Sequence, residues 1–290
     1  MLAADLKKAL DSYSKGELAL LAAELYKTIP KKDREAKDID GMIADFAAYL
    51  DRKKNGKAEP PLTSISELEA QVGEFLEYAY HQYYMSPNRY VRKQDRPKWR
   101  SIASAHIKAL LRHPADSSDG EIATDLLEKL YRMFGHASRY HLFPTSTPFK
   151  AIHMDQEVFC DHVTGRILAR NNSPDGVKRC LKAMVETYLD ENTVLYPIAI
   201  TFMNRLKTTD MRERACDQAV PLLEMKKAEL AALRLKSGNY SMQSHHKQEE
   251  INALMHLLFH LLSHLDEMER AIALYKKNAP KEAGKTPTRP

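Results

Sequence analysis

Apolar residues recur at steps of three and four along nearly the whole chain, and the sustained alternation of a half-buried strand is hard to find. Residues 66–84, SELEAQVGEFLEYAYHQYY, place Leu68, Val72, Phe75, Leu76, Ala79 and Tyr83 on one stripe of a helix. Residues 245–275 predict the clearest helix, with Leu254, Leu258, Leu261, Leu265, Met268 and Ile272 along its apolar stripe. The expected fold class is therefore all-α. Helix starts are marked by chemistry as well as by period. Ser14 and Glu17 stand at the spacing of a capping box, in which each side chain satisfies the other's backbone amide. Ser173 precedes Pro174 and Asp175, a cap followed by proline at the first helical position. Further starts are expected near Ser66, Asp119, Asp155, Asn192 and Thr209.

The breaks in the pattern organise the chain. NGKAEPPLTS at 55–64 reads as a connector or boundary, and SPNRYVRKQDRP from Ser86 interrupts two helical patterns. HPADSSDG at 113–120 and LFPTSTPF at 142–149 are further loops, while Pro221 is expected to kink a long helix over 210–236. These marks predict an N-terminal helical region with a basic loop over 1–115, a helical array over 116–277 and a disordered tail over 278–290. Helix starts in the second half are spaced by about 18 residues. SPDGVKRCLKA and TTDMRERACDQA share a Ser/Thr-x-Asp followed by Cys-x-x-Ala. Both features point to a solenoid-like array of helical hairpins, with a non-repeating bundle as the alternative.

Composition narrows the function classes. Hydrophobic residues at 43% and charged residues at 29% describe an ordinary soluble globular protein. The ten glycines never come closer than the pair Gly165 and Gly176, so the glycine motifs that cradle phosphates in P-loop and Rossmann proteins, and the nucleophile elbow, are excluded. Cys160, Cys180 and Cys216 form neither a Cys-x-x-Cys pair nor an even framework, which points to a reducing cytoplasm. The opening residues do not read as a signal peptide, no stretch is long and apolar enough to span a membrane, and no cofactor is indicated.

Charge is concentrated in one place. From Ser86 to His113 stand Arg89, Arg92, Lys93, Arg96, Lys98, Arg100, Lys108 and Arg112 against Asp95 alone, a balance of +7 in a chain whose net charge is +5. Three readings apply to this strip. Its arginines can hold the structure together, capping helix ends or pairing with acids on the first helices. They can dock an acidic protein surface, or they can neutralise phosphates beside aromatic faces that stack on bases. Trp99, Ala103, Ile107 and Leu110 share one helical stripe, which makes Trp99 a core anchor. Arg89 and Arg96, each beside a proline-constrained backbone, are expected to be structural, and Arg92 and Lys93 to face outward.

Two motifs carry a resemblance. LKKALDSYSKGEL at 6–18 and SPNRYVRKQDRPKWR at 86–100 resemble motifs of an uncharacterised bacterial all-helical family, a domain of unknown function. The resemblance covers at most the first 115 residues and the loop from Phe143 to Phe149. It implies a helical fold and makes the basic segment part of the family's architecture. It implies no activity.

The remaining candidate chemistry is weaker. His256, His260 and His264 form a second stripe on the last helical pattern, but three such residues span ~12 Å of helix and cannot share one ion. A metal site there would draw ligands such as His162 or His153 from elsewhere. His136, Arg139, Tyr140 and His141 gather beside a loop without a nucleophile in a recognised pattern, and Cys160 reads as a core thiol. The expected function is a non-enzymatic helical scaffold or adaptor that binds another macromolecule, a protein foremost. The alternative is a nucleic-acid-associated accessory protein using residues 86–113. A metal-dependent enzyme using the C-terminal histidine face is a third class.

Overall fold

The computed structural model of the chain describes residues 3–36, 39–47, 62–191, 193–237 and 241–278. These residues are helical with no strand among them, so the all-α expectation holds. The chain divides into two compact units, 1–61 and 62–290. The first contains α1 (Ala3–Leu10), α2 (Lys15–Thr28), α3 (Lys31–Ala36) and α4 (Ile39–Ala44). Ser14 and Glu17 form the expected capping box at the start of α2, with the Glu17 carboxylate 2.8 Å from the Ser14 amide. Neither α2 nor α4 buries a residue, and the Tyr26 hydroxyl donates to Asp40 across the unit at 2.6 Å.

The second unit begins with α5 (Ile65–Tyr80), a 3₁₀ turn (Arg96–Lys98) and α6 (Trp99–Leu111), succeeded by α7 (Ser118–Tyr140) and the short α8 (Pro148–Ala151). It continues through α9 (Gln156–Arg170), α10 (Pro174–Val185), α11 (Leu195–Arg205), α12 (Thr209–Ser237), α13 (Met242–Ser263) and α14 (Met268–Asn278). The division at 61/62 differs from the expected grouping of 1–115, because α5 and α6 pack on α7 and so belong to the same unit as the helices C-terminal to them. The main packing is between neighbours one and two places along the chain, α7 on α9, α9 on α10 and α11, α10 on α12, α12 on α13, α13 on α14, with a smaller contact of α10 on α13. That order is shared by stacked hairpins and by bundles. The two Cys-x-x-Ala segments place Cys180, Ala183, Cys216 and Ala219 on the buried faces of α10 and α12, which pack together.

The core is aromatic at one end and aliphatic at the other. Trp99 is fully buried and stacks on Phe143 at 4.0 Å, with Phe134 and Phe149 behind them. Ala103, Ile107 and Leu110 are buried with it, as the stripe on α6 requires. Toward the C-terminus the filling becomes Leu181, Leu222, Leu223, Leu254, Leu258 and Leu261. At the start of α7 the chain doubles back so tightly that a Cβ on Gly120 would lie 1.8 Å from the Pro114 carbonyl oxygen, and only glycine fits there.

Two helices stop earlier than their apolar pattern. The stripe over 66–84 ends at Tyr80 because Gln82 takes a left-handed conformation (φ 57°), which swings Tyr83 off the helix. The helix expected over 245–275 is broken at 264–267. Asp266 is left-handed (φ 59°), and the Glu267 amide reaches back to the Leu262 carbonyl at 2.9 Å, the bond of a Schellman stop. Met268 and Ile272, counted on the first stripe, are instead on α14 and stay about 40% exposed. Pro221 lies inside α12, which continues past it to Ser237. The stretch 55–61 and the tail 279–290 lie outside the described residues.

Candidate functional site

The loop joining α5 to α6 is organised by one side chain. Asn88 donates through Nδ2 to the carbonyls of Tyr83 and Ser86, both at 2.7 Å, and its Oδ1 accepts from the amides of Tyr90 (2.9 Å) and Val91 (2.7 Å). Buried Tyr84 and Val91 pin the loop to the core. Over it builds a stack: half-buried Tyr83 lies on exposed Tyr90 at 4.6 Å with 12° between the rings, and His81 lies on Tyr83 at 5.3 Å. The Arg89 guanidinium sits 5.1 Å from the centre of the Tyr90 ring and donates to its hydroxyl at 3.0 Å. A groove of about 380 Å3 beside the stack is lined by Glu74, Tyr78, Tyr84, Tyr90, Arg92 and His106. Burial drives the Tyr84 hydroxyl up to about 12 and lowers His106, so neither carries charge at neutral pH.

The eight basic residues of the strip have different fates. Arg96 is half-buried and its Nε donates to the Val91 carbonyl at 3.3 Å, a bond inside its own loop. Arg89, expected to be structural, is exposed and engages Tyr90. Lys98 donates to Asp95 at 2.7 Å and Arg92 approaches the same carboxylate at 3.5 Å; the Lys98 hydrogen bond lowers the Asp95 pKa. Arg92 is nonetheless 82% exposed, and Lys93 is exposed beside it, as expected. Arg100, Lys108 and Arg112 face solvent along α6, spread over roughly 18 Å of helix. The strip therefore presents two basic areas and does not close into one cradle.

A second cluster unites residues distant in sequence. His136 stacks on Tyr140 at 4.3 Å and lies edge-on to Tyr188, while Tyr188 stacks on His246 at 3.8 Å. His246 Nε2 is 3.2 Å from the Glu250 carboxylate. Behind it an ion network centred on buried Lys226 and Glu250 crosses four helices, α7, α10, α12 and α13. Lys226, 3% exposed, donates to Glu186 at 2.5 Å and to Glu250 at 2.8 Å, and Lys247 bridges Glu250 to Glu229. Arg132 joins Glu186 to Glu128, and Arg179 joins Glu128 to Asp125. Burial opposes the charge on Glu250, yet hydrogen bonds from His246, Lys226 and Lys247 outweigh it and hold its carboxyl down at about 2. Burial followed by the nearby His246 lowers His136, and burial raises Tyr188.

A cavity of about 290 Å3 adjoins this cluster, lined by Arg139, Tyr188, His246, Glu249, Asn252 and His256 with aliphatic walls. The Thr187 hydroxyl on its wall is committed to the Ala183 carbonyl at 2.7 Å. The structure thus brings His136, Arg139 and Tyr140 together with Tyr188 and His246, which sequence reasoning missed. His141, left-handed at the end of α7, points elsewhere as an exposed cap. The His246–Glu250 pairing at i, i+4 was a readable signal; nothing near Tyr188 announced its partners.

The C-terminal histidines separate. His256 borders the 290 Å3 cavity, His260 lies edge-on to Tyr196 at 5.1 Å, and His264 caps α13. Among the described residues no group of three or more His, Cys, Asp or Glu is placed to hold a metal ion. Cys160 is buried against Tyr131, with its thiol pushed up to about 12 by that burial, so it is a core thiol. No described helix is long and apolar enough to cross a membrane. Comparison with protein-family models, curated proteins and solved structures finds no match.

Proposed function

We propose that this chain is a cytoplasmic, non-enzymatic helical scaffold that docks an acidic surface of a protein partner on its 78–100 face. The observation that supports this reading is the His81–Tyr83–Tyr90–Arg89 stack, in which a half-buried Tyr83 carries exposed His81, Tyr90 and Arg89, standing beside outward-facing Arg92 and Lys93. Tyrosine and arginine dominate the energetic centres of protein interfaces, and positive rim charges steer an acidic partner. The Tyr83 and Tyr90 rings are already engaged with each other, with His81 and with Arg89, whereas base stacking needs open faces. Three buried, unpaired thiols suit a reducing compartment.

The test is a tagged pull-down from the native cell with the parent chain and with two variants, Tyr90→Ala and the charge reversal Arg92→Glu/Lys93→Glu. Labelled single- and double-stranded oligonucleotides are titrated in parallel at two salt concentrations. Both variants should melt within about 2 °C of the parent, since exposed substitutions cost under about 0.5 kcal/mol. Both should lose the partner, and no form should bind oligonucleotide. Folded variants that keep the partner refute the reading. Oligonucleotide binding with a log–log salt slope of about −0.9 per phosphate contact would assign the face to nucleic acid instead.

A further inference from the structure

We propose that a cavity between the start of α7, the end of α9 and the start of α10 binds a phosphate-class oxyanion, with Arg166 as its principal ligand. The cavity measures about 180 Å3, and Arg166, Arg170 and Arg179 all line it. Two of these guanidiniums are compensated: Arg170 by Glu121 at 2.5 Å, Arg179 by Glu128 at 2.7 Å and by Asp125. Arg166 is not. It is half-buried, its Nε donates to the Thr124 hydroxyl at 3.1 Å and its Nη2 to the Gly120 carbonyl at 3.3 Å, and among the described residues no carboxylate pairs with it. Burial alone shifts its pKa, downward, as expected of a charge removed from water without a counter-ion. Guanidiniums in partly desolvated sites are held by acids or by bound anions, because the isolated charge is unfavourable there. The two hydrogen bonds fix the plane of the group and leave Nη1 without a protein partner among the described residues, the fork geometry suited to an oxyanion.

The first turn of α10 adds donors to the same space. Ser173 makes no side-chain cap, Pro174 has no N–H, and no described side chain accepts from the amides of Asp175 and Gly176. Gly176 lines the cavity, and a Cβ there would lie 1.8 Å from the Asn171 carbonyl oxygen, so close packing against Asn171 keeps this turn bare. Among the described residues Asp175 is the one lining carboxylate without a basic partner, and it opposes an anion. Of the three lining guanidiniums, Arg170 is held by Glu121 and Arg179 by Glu128 and Asp125, so Arg166 is the one left to meet a ligand. The site uses none of the residues of the docking face and stands apart from that reading.

Isothermal titration and thermal shift with inorganic phosphate, against chloride at matched ionic strength, test it on the full chain. Phosphate should bind and raise Tm by linkage. Arg166→Gln, which keeps a donor for Thr124, should weaken binding roughly tenfold or more, the size of a lost charge-assisted bond. Asp175→Asn should tighten it. Phosphoserine and an oligonucleotide without terminal phosphate distinguish a monoester ligand from a diester. The proposal falls if the parent binds phosphate no better than chloride. It falls equally if Arg166→Gln, folded by circular dichroism, binds as the parent does. Should that variant not fold, Asp175→Asn decides: unchanged affinity overturns the site.

Discussion

Lys226 is a buried cation whose removal has a calculable consequence. Replacing it with methionine, an unbranched side chain one atom shorter, deletes the charge that sits between Glu186 and Glu250. Glu250 is held at about 2 against an ordinary value of 4.5. By linkage that depression contributes about 3 kcal/mol of stability near neutral pH, at 1.36 kcal/mol per unit. A lowered carboxyl contributes fully above its unfolded value and loses the contribution as pH falls through the folded one, so this stability disappears between about pH 4.5 and pH 2. Three donors share the stabilisation, and His246 and Lys247 remain in Lys226→Met; Arg132 remains on Glu186. Removing one partner of a buried pair costs about 3–5 kcal/mol, which the remaining donors reduce to about 2–4 kcal/mol here. For a unit of this size the melting temperature should fall by roughly 5–15 °C. Urea unfolding monitored by circular dichroism at pH 7 and at stepped lower pH measures the effect. The gap between variant and parent should be widest at neutral pH and should narrow as Glu250 protonates in both. A loss under about 1 kcal/mol at pH 7, or a gap that stays constant down to pH 3, would show that the network carries no net stability.

Three further predictions concern the core and the turns. Trp99→Ala should cost about 3–5 kcal/mol by cavity formation; the single Trp should emit at blue-shifted wavelengths in the native protein and shift red on unfolding, and native emission typical of exposed indole would contradict its place under Phe143. Cys160, Cys180 and Cys216 are buried with thiols raised by burial, so a thiol reagent should label none of them until denaturant is added. Asp266→Gly should stabilise the turn between α13 and α14 by up to about 1 kcal/mol, because glycine meets no penalty at φ 59°; a destabilised variant in thermal melts would mean the Asp266 side chain holds the turn.

Local chemistry in the sequence determined the helical class, the capping box at Ser14, the start of α10 at Pro174 (where Ser173 takes the cap position without a side-chain cap bond), the buried stripe of Trp99, Ala103, Ile107 and Leu110, and the outward Arg92 and Lys93. Each depends on residues a few positions apart, whose preferences act before any tertiary contact forms. The same period misled at Tyr83 and beyond His264, because an apolar repeat continues through a turn made by one left-handed residue, and periodicity does not register φ. Only the tertiary structure decided which charges meet. Lys226 finds Glu186 and Glu250 at separations of 40 and 24 residues, and Arg166 lies across from Thr124 with no acid paired to it among the described residues. Tyr188 meets His246 across 58 residues by the same rule. Side-chain electrostatics and stacking act over a few ångströms in space, and helix packing, which a single sequence leaves open, sets those distances.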